Sequence, residues 1–380
     1  MVIIMTIKRK KLKKKSLLIL IIFLSVFLIF GLWYNSDERK LSRLNYSKNA
    51  INVIKKNNIE SEVLKNEYSK TLEVALTSDN FDKKNLEIYI NTKYNNNKNI
   101  TKQINKLSSL GYDKNDIGKI YEKLENEEID FLTNYTYIDN LKSYLDYKIF
   151  KVENLERYIN YKNKSENASL SYKDIILKVN MNLDKDFYDN PKIVENPDDL
   201  LVLVNKYNKL PDDYEAKDIK QIDSKYTVAD MYLNERAKEP FEEMCTDAKS
   251  VNMIIKAVSA YRTKDYQNKL YNDYVKSNGF NYAENFSARP RHSEHETGLA
   301  VDIRGGLSAY TLFENTEEYK WVQQNAHNYG FIIRYQKEKE SITGYHYESW
   351  HLRYVGKEVA NYIYKHNITF DEYYAMFLDK

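Results

Sequence analysis

The sequence predicts an α+β fold carrying a metal site, preceded by a transmembrane helix and an all-α N-terminal region. Three observations carry that expectation. Residues 16–34 (SLLILIIFLSVFLIFGLWY) form a predominantly apolar run, close to the ~20 residues a membrane-spanning helix needs. All five prolines lie at or beyond residue 191 and seven of the ten glycines at or beyond residue 279, so residues 37–190 hold almost nothing that stops a helix. Beyond 191, strand-like and helix-like segments mix without the strict alternation of a parallel βαβ sheet, which favours α+β over α/β.

The first element is a basic leader, residues 1–15, with KRKKLKKK at 8–15. Positive charge ahead of an apolar run keeps the N-terminus in the cytoplasm and sends the remainder outside. Trp33 and Tyr34 stand where interfacial aromatics belong. No small-x-small cleavage site follows and no cysteine is placed for a lipid anchor, so residues 16–34 are expected to remain as a single-span anchor. The leader holds seven of the 58 Lys and Arg, and the rest of the chain is near neutral to slightly acidic, which argues against a nucleic-acid partner. The lone cysteine, Cys245, excludes an intramolecular disulfide, and an exported chain without disulfides fits a bacterial surface. In the helical-looking FEEMCTDA, Cys245 reads as a small buried hydrophobe.

Residues 35–190 read as short helices with polar turns. A nonapeptide recurs: NLEIYINTK at 85–93, NLKSYLDYK at 140–148 and NLERYINYK at 154–162. In each copy Leu, Tyr and Ile or Leu fall at i, i+3 and i+4, one face of a helix. This suggests a repeated helical unit, read here as a spacer. DNPKIVENPDD at 189–199 marks a boundary, so the domains expected are 1–15, 16–34, 35–190 and 191–380. Within the last, strands are expected at 200–211, 251–262, 298–306, 331–336 and 345–356. Helices are expected across 227–249, 264–279 (closed by Gly279), 316–330, 357–367 and 371–378.

The chemistry concentrates in SEHETGLAVD (293–302) and ESWH (348–351). His295, Asp302 and His351 offer two imidazoles and one carboxylate, a set that holds Zn²⁺ and leaves a fourth position open for water. Glu348 is then free to move the proton that amide hydrolysis requires. A second assignment makes Glu348 the ligand and Asp302 its orienter. His295 and Asp302 are too far apart to share one face of a regular strand, so His295 must reach in from a bend. Glu348 and His351, three apart, need a bulge or a strand end to face one site. Arg262, at the end of SAYRTKDYQ, is placed to meet an oxyanion. Gln267 and Ser293 are weaker candidates for substrate contact, Ser293 serving either a substrate carboxylate or a turn. His346 is the substitute ligand should His351 fail, His292 neighbours the ligand loop, and His327 and His366 read as structural.

SEHETGLAVD resembles the SxHxxGxAxD signature, and ESWH the ExxH signature, of the VanY-type D-alanyl-D-alanine carboxypeptidases, within the wider LAS group of zinc peptidases. LVLVNKYNKLPDDYEAKDI (201–219) and SAYRTKDYQ resemble the opening segments of that catalytic domain, so the likeness spans about residues 200–370. The resemblance implies a central antiparallel sheet carrying the metal. It implies zinc ligands His295, Asp302 and His351, with Glu348 as base, Arg262 stabilising the tetrahedral intermediate and Ser293 on the terminal carboxylate. The implied substrate is a peptidoglycan stem peptide losing its terminal D-alanine, with DD- or LD-specificity open. The alternatives are an endopeptidase of the same fold or a silent wall-binding protein. One departure is visible: ARPRHSEH carries Arg291-His292 where relatives often have a glycine-bearing turn.

Overall fold

Four antiparallel strands organise the second half of the chain in the computed structural model, which describes residues 17–379 apart from 30, 32, 35, 307 and 308. The basic leader lies outside the described residues. The chain divides into two units, Met1–Val152 and Glu153–Lys380.

The first unit is built of short helices, among them Lys48–Lys56, Lys70–Leu76, Leu86–Asn91, Ile100–Leu110, Lys114–Lys123 and Leu141–Leu145. Ser47, Ser69 and Asp113 cap their helices by accepting backbone N–H bonds, which satisfies donors the first turn leaves orphaned. The repeated nonapeptide works as its spacing requires: Leu86 and Tyr89, then Leu141 and Tyr144, are buried one turn apart. The third copy, with Leu155 and Tyr158 buried, belongs to the second unit.

The expected membrane anchor over 16–34 is overturned. Among the described residues no helix is long and apolar enough to cross a membrane. The transmembrane element of the expected fold class and the single-pass membrane placement are both withdrawn on that finding.

In the second unit, β1 (Lys192–Ile193) pairs in parallel with β2 (Asn208–Lys209), and β3 (Ile219–Gln221) antiparallel with β4 (Tyr232–Asn234). The main sheet comprises β5 (Ile255–Ser259), β6 (Ala300–Gly305), β7 (Phe331–Tyr335) and β8 (Glu348–Tyr354), in the order β5-β6-β8-β7. Residues 200–211, read as a strand, are mostly irregular; only Asn208–Lys209 pair, because Pro211 ends the segment and removes a donor. Val301, Ile303 and Leu352 enter the core with Phe241, Met244 and Ala248 of the helix Glu235–Ser250. Cys245 joins them as a buried thiol whose pKa burial pushes up, so it is packing rather than a nucleophile. Strand alternation sends Asp302 and His351 away from this core, to the face where the site forms. The final helix, Phe370–Phe377, packs on Tyr172–Asn180.

Candidate metal centre

Asp302 and His351 are direct cross-strand partners in the β6–β8 ladder, which sets their side chains side by side. Two irregularities complete the site. The β7–β8 register shifts between Ile333 and Tyr335, so Tyr335 pairs with Glu348 while Ile333 pairs with Leu352. The extra residues on β8 rotate Glu348 and His351 onto one site, as their three-residue spacing demanded. The β5–β6 register shifts between Ala257 and Ser259, bringing Ser259 opposite Asp302.

His295 arrives from a turn of 3₁₀ helix, Glu294–Thr297, ended by Gly298 in the left-handed region at φ 71°. Glycine is needed there twice over. A Cβ would lie 2.5 Å from Ile219 Cδ1 and 3.0 Å from the Asn234 backbone nitrogen. The Gly298 carbonyl in turn accepts the Asn234 N–H at 2.9 Å. His295 Nδ1 lies 2.7 Å from the Ala260 carbonyl and donates to it, which leaves Nε2 as the lone-pair nitrogen facing inward.

Three side chains converge. His295 Nε2 lies 3.3 Å from Asp302 Oδ2, and His351 Nδ1 lies 3.2 Å from Asp302 Oδ1. One ligand atom from each falls within 4.8 Å of the others. Glu348 Oε2 stands 3.5 Å from His351 Nδ1. All four residues are buried. Arg262 donates to Asp302 Oδ2 at 2.7 Å and to Ser259 Oγ at 2.8 and 3.0 Å, with Nη1 on Gln267 Oε1 at 3.3 Å.

The electrostatics describe a place that wants a cation. Burial would raise the Asp302 carboxyl, yet His295, His351 and Arg262 hold it well below the usual carboxylate range. Burial and the Arg262 charge push His295 down to about 4. Against burial, Asp302 and Glu294 raise His351 to about 9, so a proton occupies the ring where positive charge is favoured. Burial lifts Glu348 to about 8. Asp302 Oδ1 is buried with no hydrogen-bond partner. With the His351 proton displaced, two imidazole nitrogens and a carboxylate oxygen suit zinc. An orphaned oxygen among them fits a metal rather than a closed hydrogen-bond network.

These residues floor a cavity of about 320 Å³ walled by Tyr266, Tyr274, Tyr310, Tyr335, Tyr345 and Trp350. Ser293 lies on its wall, buried, and although it occupies the N-cap of the His295 turn its side chain makes no capping bond. Gln267 is fully buried behind Arg262, its amide donating to the Ala288 carbonyl at 2.8 Å. The other histidines stay out of the cluster. His292 sits 2.8 Å from the Asn205 carbonyl, and His346 stacks on Phe286. His327 stacks on Tyr364, and His366 lies against Tyr362. Arg291 adopts φ 73°, the conformation glycine supplies at a turn, and is held there by Glu296 Oε1 on its N–H at 2.7 Å.

One residue of the motif was passed over in the sequence. Glu294, beside His295, is fully enclosed between Arg334 and Arg353 and lies 3.5 Å behind His351. The available signal was two arginines inside otherwise apolar strands, FIIRY and HLRY, which require a buried acid.

The family model described as VanY, D-alanyl-D-alanine carboxypeptidase, matches residues 230–357. The chain is 40% identical over 193 residues to the Bacillus subtilis (strain 168) protein YodJ, named as a carboxypeptidase, covering 49% of this chain and 71% of that protein. It is 33% identical over 181 residues to the bifunctional D-Ala-D-Ala dipeptidase and carboxypeptidase VanXYC of Enterococcus gallinarum, covering 46% and 93%. Among solved structures, the LdcB LD-carboxypeptidase is similar at TM-score 0.47 and 39% identity, over 50% of this chain and 91% of that one.

Proposed function

The chain belongs to the VanY family of D-alanyl-D-alanine carboxypeptidases, and from that premise we propose that it is a zinc enzyme releasing terminal D-alanine from peptidoglycan stem peptides. The observation that carries this reading is the convergence of His295, Asp302 and His351 beside Glu348 on the floor of one cavity. His295 through Nε2, Asp302, and His351 through Nδ1 would hold the metal. Zinc supplies Lewis acidity at the scissile carbonyl and the attacking water. Glu348 accepts a proton from that water and delivers it to the leaving amine; burial raises its carboxyl above the ordinary carboxylate range, which favours holding that proton between the two transfers. The Arg262 guanidinium, braced by Ser259, Gln267 and Asp302, offers its remaining Nη1–H and its charge to the oxyanion. Gln267 thus serves the substrate through Arg262. The Ser293 hydroxyl, free of capping duty, donates to the terminal carboxylate. In this reading the catalytic domain occupies 191–380, and 35–190 is a helical spacer.

The test is D-alanine release from a pentapeptide ending D-Ala-D-Ala and from a tetrapeptide ending in one D-Ala. Zinc-loaded protein releases it from at least one, and Glu348→Ala lowers turnover by about 10²–10⁴-fold while keeping its zinc. Undiminished release by the variant would refute the assigned base. No release from either peptide by the zinc-loaded wild type would refute the activity.

A further inference from the structure

We propose that Glu294 is a positioning residue for the metal: its carboxylate takes the Nε2–H of His351 and thereby turns the ring to present Nδ1 to the centre. The inference rests on the zinc reading above and adds a residue to it. Glu294 Oε1 is spent on two arginines, accepting from Arg334 Nε at 2.7 Å and from Arg353 Nη1 at 3.0 Å. Oε2 is left over, buried and without a hydrogen-bond partner. The atom facing it is His351 Nε2, 3.5 Å away, which is buried and equally without a partner. These two complementary buried atoms, each without another partner among the described residues, face one another, and a small rotation of the imidazole closes the bond.

The support around Glu294 is extensive. Arg334 also binds Asp371 Oδ2 at 2.6 Å, and Asp371 Oδ1 accepts from Asn205 at 2.8 Å. Arg353 donates to the Leu200 and Val202 carbonyls at 3.0 and 2.9 Å. The carboxylate is therefore fixed by β7, β8, the final helix and the segment 200–205 together. Desolvating such a network costs about as much as its attractions return, so stability alone is a weak reason for it. Its aim is the better reason. An imidazole bound to a metal through one nitrogen commonly gives its other N–H to a carboxylate, which fixes ring orientation and raises ligand basicity. His295 receives the equivalent service from the Ala260 carbonyl.

The experiment uses the full chain labelled with ¹⁵N-histidine, with and without zinc. In zinc-loaded wild type, His351 is expected to carry its proton on Nε2, with a downfield hydrogen-bonded resonance, and to bind through Nδ1. Glu294→Gln is expected to shift that resonance upfield and to raise the zinc Kd about 10–100-fold. Glu294→Asp should restore part of the affinity. A purely structural role would lower thermal stability without moving the Kd of the folded fraction or the resonance. The proposal is overturned if wild-type His351 binds through Nε2, a measurement that needs no variant. It is overturned equally if Glu294→Gln folds and holds zinc with the wild-type Kd. Absence of stoichiometric zinc binding by the wild type would instead take down the zinc reading, and this inference with it.

Discussion

His295 reaches the site from one turn of 3₁₀ helix, whereas His351 sits inside a paired strand, and each is held by what its location offers. The turn supplies backbone: a carbonyl from Ala260 behind the ring, and Gly298 in a left-handed conformation to bring the chain back into β6. The strand supplies register, with Asp302 opposite and an acid braced by two arginines behind. The loop seat is therefore vulnerable to changes in backbone geometry, and the strand seat to changes in charge.

The largest effect expected from breaking this contrast is at Gly298. Gly298→Ala forces an L-residue to φ 71° and drives a methyl into Ile219 and the Asn234 nitrogen. The left-handed cost and the overpacking together amount to about 3 kcal/mol. Urea denaturation should show a lower midpoint with an unchanged slope, and the folded fraction should bind zinc more weakly through a displaced His295. Wild-type stability in this variant would mean that the turn tolerates a Cβ and that the loop seat is not set by backbone geometry.

A smaller effect separates the turn's backbone from its side chains. Ser293 stands at the N-cap without a capping bond, so Ser293→Ala should leave the melting temperature within error of wild type. If the hydroxyl holds the substrate carboxylate, KM rises about tenfold with kcat little changed, the loss of one hydrogen bond to a charged group. A stability loss with unchanged KM would return Ser293 to a structural role.

How far the sequence could be read follows the same division. The convergence of His295, Asp302 and His351 was legible because metal chemistry needs particular residue types, and the strand geometry because spacing limits which residues share a face. The demand for an irregularity between Glu348 and His351 came from spacing alone, and the register shift opposite Tyr335 meets it. Glu294 was hidden because its partners, Arg334 and Arg353, lie 40 and 59 residues away, and only the fold brings them together. The apolar run at 16–34 misled for a related reason. Composition gives a segment's hydrophobicity but not the length of the helix it forms, and among the described residues no helix is both long and apolar enough to cross a membrane. Arg291 shows a third kind of gap. A turn usually given to glycine is taken by an arginine, whose strained backbone is offset by its bonds to Glu296, a buried acid five residues on.

The smallest expected effect is also the most direct way to tell the two seats apart, because they should respond differently to pH when zinc is removed. In the zinc-free protein His351 is raised to about 9 from an ordinary 6.5, so the folded state holds a proton the unfolded chain has lost. That contribution is complete below pH 6.5 and fades as pH climbs towards 9. Glu348, raised to about 8, has the same sign: folded protein binds more protons than unfolded, and stability falls as pH rises. His295, pushed down to about 4, is already neutral in the folded state and contributes no loss over this range. Above pH 8 the depressed Lys206, at about 8, begins to act with the opposite sign, which closes the window. Between pH 7 and 8 the melting temperature in EDTA should therefore decline by a few degrees. His351→Asn should flatten the decline and His295→Asn should not. Zinc-loaded protein should show a shallower slope as well, since binding through Nδ1 expels the His351 proton. An equal slope in both asparagine variants would mean that the proton taken up on folding belongs elsewhere and that the charge-built seat is not at His351.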